Sequence, residues 1–205
     1  MNAASISRRS FLKIIGIAIA LPSLASAVNA AESTNTPNIV FILADDLGQH
    51  QLGCYGSTFY ETPNIDRLAR EGMRFTNAYA ASPVCSPTRA SIVTGKYPAR
   101  LHLANVIGHG SGKLLTPKWT KHLPLEEGTI AKSLKTGGYA TGYIGKWHLF
   151  HTPDKQGFDY SFVTYKPKYW TNPENDAHNI RMITKKSLEF IEENRENTFF
   201  LVCFT

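Results

Sequence analysis

The stretch from Ile39 to Ala44 most limits what this chain can become: six apolar residues in unbroken succession, stopped by Asp45 and Asp46. A strand with one wet face alternates polar and apolar residues. One that is apolar at every position is buried on both faces, as in a parallel sheet packed between helices. "TFFLVCFT" at residues 198–205 has the same character, and "YATGYIG" at 139–145 reads as another strand.

Helical signals lie between these runs. "TPNIDRLAREG" has Thr62 at the N-cap, Pro63 at the first helical position, Ile65, Leu68 and Ala69 at helical spacing, and Gly72 as a stop. Ser86 to Thr94 reads as a helix closed by Gly95, "TIAKSLKTGG" as one capped by Gly137 or Gly138, and "NIRMITKKSLEFIEENREN" as a longer one. "MRFTNAYAAS", residues 73–82, alternates enough to predict a strand.

Strands alternating with helices predict an α/β chain with a mostly parallel sheet sandwiched by helices, and ligands bind such sheets at the carboxyl ends of the strands. Three chemically loaded clusters fall at such ends: Asp45 with Asp46, Cys85 with Arg89, and Lys146 with His148. Because the chain stops inside an apolar strand, whose edge would need pairing, the expectation is a chain truncated before the sheet and site are complete.

Residues 1–30 are expected to be an export signal. Arg8 and Arg9 precede an apolar run from Ile14 to Leu21 that Pro22 and Ser23 end too soon for a membrane span, and cleavage after Ala27 or Ala30 suits the small residues there. The twin arginines point to the twin-arginine machinery and to a periplasmic or secreted destination. Residues 31–37 read as a polar linker, and residues 38–205 as the N-terminal portion of a domain that is incomplete in this chain. Removing Arg8, Arg9 and Lys13 lowers the formal charge of +6 to about +3, which suits an anionic substrate and gives no reason to expect nucleic acid.

The three cysteines, Cys54, Cys85 and Cys203, are too few and too scattered for a disulfide framework, and none has metal-ligand spacing. Cys54, in a glycine-bounded turn, and Cys203, on an apolar strand, read as structural. Cys85 differs, because it stands where a helix begins. The free N–H groups there favour negative charge, and Arg89, one turn along, adds a full positive charge on the same face. A phosphatase loop of the Cys-x5-Arg type is excluded by the spacing.

"CSPTR", residues 85–89, with "ASIVTG" after it, resembles the Cys-x-Pro-x-Arg signature of the type I sulfatases. "PNIVFILADDLG", "GCYG", "TPNIDRLAREGMRFTNAYA", "GGYATGYIGKWHL" and "FLVCFT" resemble the same family, so the similarity runs from Pro37 to the last residue. It implies an alkaline phosphatase-like fold and a sulfuric ester hydrolase acting on a sulfated small molecule or glycan. It also implies that Cys85 is converted by a formylglycine-generating or sulfatase-maturating enzyme to formylglycine, whose hydrate supplies the nucleophilic oxygen.

By the same resemblance, Asp45, Asp46 and residue 85 are ligands of a divalent cation, usually Ca2+. Because calcium takes about six to eight oxygens, the shell needs further donors. Arg89 is implied to steady the nucleophile and the metal carboxylates, Lys146 to pair with a sulfate oxygen, and His148 to assist the proton transfer that releases sulfate. His50, His102, His109, His122, His151 and His178 read as surface or loop residues, with His102 and His109 placed where they could contact substrate. The family's common "DDLGYGDLG" is replaced here by Asp45-Asp46-Leu47-Gly48-Gln49-His50-Gln51-Leu52-Gly53, which changes the rim but keeps both aspartates. Two rivals remain: phosphate or phosphonate ester hydrolysis on the same fold, where serine or threonine is the usual nucleophile, and an inactive sulfatase fragment.

Overall fold

The structure, a computed structural model, describes residues 36–108, 118–164, 176 and 179–205. The expected export signal, most of the linker, His109 and His178 lie outside them. From Pro37 the chain forms one compact unit. Its elements are β1 (Ile39–Leu43), α1 (Pro63–Glu71), α2 (Cys85–Thr94), α3 (Ile130–Thr136), β2 (Ala140–Gly145), β3 (Tyr160–Val163), α4 (Ile180–Glu193) and β4 (Phe199–Phe204).

The four strands form one wholly parallel sheet in the order β1-β4-β2-β3. β4, the last in sequence, therefore lies between the first two. Its side chains alternate between two cores, which is why all six positions are apolar. Phe200, Val202 and Phe204 join Tyr143, Trp147, Leu149 and the α2 residues Ala90 and Val93 on one face. Phe199, Leu201 and Cys203 join Ile144 and the α4 residues Ile183 and Phe190 on the other. The expected sandwich is present over β2 and β4.

The parallel strands end together. Lys146 N–H donates to the Phe204 carbonyl at 3.0 Å, Thr205 N–H to Leu43 at 3.1 Å and Asp45 N–H to Thr205 at 3.3 Å. This register lines up the chain just beyond β1, β4 and β2, so Asp45 and Lys146 become neighbours. Gly145 makes the fit possible: at φ 108°, a Cβ there would stand 1.7 Å from the Phe204 carbonyl oxygen.

Three expectations change. β1 is not enclosed: Val40 is 46% and Ile42 68% exposed, because α4 packs over β2 and β4 while β1 pairs with β4 alone among the described residues. Residues 73–82 are irregular rather than a strand. Tyr55 donates its hydroxyl to the Phe75 carbonyl at 2.6 Å and Arg74 reaches back to the Cys54 carbonyl, so this backbone is held by side chains instead of a ladder. β3 was not foreseen, because its four residues, "YSFV", are too few to show a period.

α2 and α3 match their signals within a residue or two, with Gly95 in the left-handed conformation after α2 and the Thr129 hydroxyl capping α3 by accepting from Lys132 N–H, while α4 stops at Glu193, four residues before the end of its expected run. In α1, the Thr62 hydroxyl makes no cap bond. It accepts from Gly53 N–H at 2.8 Å and donates to Asp66 at 3.0 Å, pinning the helix to the turn that carries Cys54.

Candidate active site

Cys85 opens α2 after Val84, which is extended. The helix start is anchored on both sides. Thr88 donates its hydroxyl to the Ser82 carbonyl at 2.7 Å, and the buried Ser86 hydroxyl accepts from Ile107 N–H at 3.1 Å. Asp45, Asp46, Ser82, Cys85, Thr88 and Arg89 line one cleft of about 350 Å3.

Arg89 is the most deeply buried charge among the described residues, at 1% exposure. Its Nη2 is 3.1 Å from Asp45 Oδ1, its Nη1 donates to the Lys146 carbonyl at 2.5 Å, and its guanidinium lies 4.6 Å from the centre of the Phe204 ring. Its Nε makes no hydrogen bond among the described residues. Arg89 thus ties the ends of β1, β2 and β4 together from beneath the cleft.

Lys146 Nζ is ion-paired with the second oxygen of Asp45. Burial pushes the Asp45 carboxyl up, but the Lys146 hydrogen bond and the charges of Arg89 and Lys146 outweigh it and hold the group below the ordinary carboxylate range. Asp45 is therefore a carboxylate at neutral pH.

His148, at φ 55°, brings Nδ1 to 3.2 Å from Cys85 Sγ and Nε2 to 2.9 Å from the Ile107 carbonyl oxygen. A carbonyl can only accept, so in the neutral ring Nε2 carries the proton and Nδ1 keeps its lone pair toward residue 85. Burial pushes the imidazole pKa down, and the nearby Lys146 and Arg89 charges add to this against the opposing Ile107 bond, leaving the ring neutral at pH 7. Ile107 fixes both parts: its N–H holds the α2 start and its carbonyl holds the histidine.

The structure thus gathers Asp45, Cys85, Arg89, Lys146 and His148, with Asp46 on the cleft wall at φ 58°. A hard divalent cation suits this donor chemistry, since two carboxylates share the cleft with residue 85 and Asp45 is held in its charged form. The shell is partial: among the described residues no group of three or more His, Cys, Asp and Glu side chains is close enough to hold one ion.

Ile107 and Tyr143 were not foreseen from the sequence. The buried Tyr143 donates its hydroxyl to the Lys146 carbonyl at 2.5 Å, so that one oxygen takes both this bond and the one from Arg89. Nothing in "ATGYIG" marks the tyrosine apart from a core residue, and Ile107 acts through its backbone alone. Among the described residues no hydrogen bond or ion pair joins His50, His102 or His122 to the site, while Cys203 is buried and bonded to the Ser187 hydroxyl, with its thiol pKa pushed up by burial against that bond.

The family model for Sulfatase matches residues 37–205. Rat (Rattus norvegicus) steryl-sulfatase is 45% identical over 63% of this chain and 24% of its own length. The N-acetylglucosamine-6-O-sulfatase of Bacteroides thetaiotaomicron is 33% identical over 91% of this chain and 33% of its own. A solved structure described as holding its substrate D-glucosamine-2-N,6-O-disulfate superposes with a TM-score of 0.67 at 30% identity, covering 82% of this chain and 34% of that one. The sheet is thus of the alkaline phosphatase-like type, and this chain spans about a quarter to a third of the curated relatives' length. Members of the matched family generally work with a formylglycine and a divalent metal.

Proposed function

The chain belongs to the sulfatase family, and from that premise we propose that residues 38–205 carry the nucleophile-bearing part of a site that hydrolyses the sulfate ester of a carbohydrate or aryl compound. The observation that carries this reading is the 3.2 Å approach of His148 Nδ1 to residue 85, at the mouth of a cleft with Arg89 and Asp45.

Each residue has a task its geometry can perform. His148, with Nε2–H held by Ile107, presents a lone pair that takes a proton from the group at residue 85 and can return or release it as the sulfate leaves. Lys146 offers a mobile ammonium that, released from Asp45, pairs with a sulfate oxygen as charge develops. Arg89 is too deeply held to move, so it keeps Asp45 and the Lys146 backbone in place and contributes a fixed positive field.

Formylglycine at residue 85 would supply the nucleophilic oxygen that a thiol lacks, and its making would require a maturating enzyme that reads "CSPTR". A Ca2+ ion would be held by Asp45, Asp46 and the oxygen at 85, and would polarise the sulfate oxygens. We further assign residues 1–30 to export by the twin-arginine route, toward the periplasm or medium, which would allow Cys85 to mature in the cytoplasm first.

The test is mass spectrometry of the tryptic peptide Phe75–Arg89 from protein made in its native host, paired with turnover of an aryl sulfate and an aryl phosphate. An aldehyde at 85 with sulfate-ester cleavage supports the reading. An unmodified thiol in protein that turns over sulfate overturns the formylglycine assignment, and cleavage of the phosphate alone overturns the substrate class.

A further inference from the structure

Beyond the cleft, the segment from Lys146 to Phe150 has an unusual build. Trp147 and Leu149 are buried at 3% and 0% exposure, while Lys146 and His148 are half-buried and Phe150 is 71% exposed. The three alternate residues thus lie away from the core, and Lys146 and His148 already belong to the candidate site. Consecutive Cα atoms are 3.8 Å apart, so the Phe150 Cα is within about 8 Å of that of His148.

Phe150 is also held in a conformation its side chain disfavours. Its φ is 79°, in the left-handed region that suits glycine, and bulky residues are rare there unless their surroundings impose it. The imposing contacts are on the neighbours. The Leu149 carbonyl accepts from Leu123 N–H at 3.2 Å, and Trp147 Nε1–H donates to the His151 carbonyl, so the chain on both sides of Phe150 is fixed. An exposed phenylalanine at a glycine-like position gains nothing for the core.

The ring has aromatic company. His122 lies 6.1 Å from it and His151 5.1 Å, and the two imidazoles meet edge to face at 5.4 Å. Residues 118–122, "KWTKH", carry two lysines and no acid, and Lys121 Nζ lies 6.0 Å from the centre of the Trp119 ring. An exposed ring on a fixed backbone, bordered by two imidazoles with Lys121 next in sequence to one of them and adjoining a sulfate-ester site, has the chemistry to stack on the C–H face of a sugar and to pair with anionic substituents around it.

We propose that Phe150, flanked by His122 and His151 with Lys121 beside them, is a stacking platform for the sugar next to the one that bears the reacting sulfate. This subsite selects sulfated oligosaccharides over small sulfate esters. The proposal rests on the sulfatase reading for what occupies the neighbouring cleft.

Affinity is measured by calorimetry in the full-length protein carrying Cys85→Ala, so that nothing is consumed. The probes are tetrasaccharides and monosaccharides from heparin, chondroitin sulfate and carrageenan. At least one tetrasaccharide is expected to bind more tightly than its monosaccharide. Phe150→Gly lowers that affinity about tenfold, Phe150→Trp preserves it, and the monosaccharide is unaffected. With Cys85 intact, Phe150→Gly leaves KM for an aryl sulfate unchanged and raises Tm, because glycine relieves the φ of 79°. Tetrasaccharides that bind no better than monosaccharides, or that bind Phe150→Gly as well as the parent, overturn the platform. A protein that cleaves no sulfate ester yet binds a tetrasaccharide through Phe150 overturns the sulfatase reading and leaves the platform standing.

Discussion

Cys85 and His148, 63 residues apart in sequence, meet at 3.2 Å between Sγ and Nδ1. The contact joins the first residue of α2 to the loop beyond β2, and the Ile107 backbone holds both sides of it. The imidazole is therefore aimed before any ligand arrives.

That aim predicts the acid limb of activity. His148 is lowered below its ordinary 6.5, so the neutral form needed to accept a proton persists below pH 6.5, and the fall of kcat/KM with acid is expected there. His148→Gln removes the limb and lowers kcat roughly 10²–10⁴-fold. A pH–rate profile of both proteins checks this, and an unchanged limb in the variant denies His148 the role of base.

The Arg89–Asp45 pair predicts a stability effect. Asp45→Asn leaves a guanidinium of 1% exposure without its countercharge, which costs about 3 kcal/mol in urea unfolding at pH 7. The lowered Asp45 pKa gives the pH dependence. Its contribution is complete above the ordinary value of 3.8 and is lost as pH falls through the lower folded value, so the gap between parent and variant closes in acid.

Arg89→Lys tests the fork. A single ammonium cannot reach Asp45 and the Lys146 carbonyl together while staying over the Phe204 ring, so a loss of about 2 kcal/mol is expected although the charge is kept. Thermal unfolding measures it, and a variant as stable as the parent would show that charge alone is what matters.

Gly145→Ala is expected to prevent folding. Its Cβ would fall 1.7 Å from a backbone oxygen in the central strand, and φ 108° is closed to alanine. Gly142→Ala meets side chains and no backbone, the Phe190 ring at 2.8 Å and Leu201 Cδ1 at 3.1 Å, which can shift. Circular dichroism of the two proteins should therefore differ, with Gly142→Ala folded and weakened.

Local chemistry was written plainly in the chain. The apolar run of β4, the glycine after α2, the glycine stop of α3 and the Asp45–Asp46 stop each depend on a few adjacent residues, so the parallel α/β character and the candidate site residues were legible in sequence. Tertiary structure alone decided that β4 would enter between β1 and β2. That placement sets Asp45 beside Lys146 and slides Phe204 under Arg89. The same assembly left β1 uncovered, kept residues 73–82 out of the sheet, and recruited Tyr143 and Ile107, one through a buried hydroxyl and one through its backbone. Pairing and register depend on which distant segments meet, and no local period encodes that.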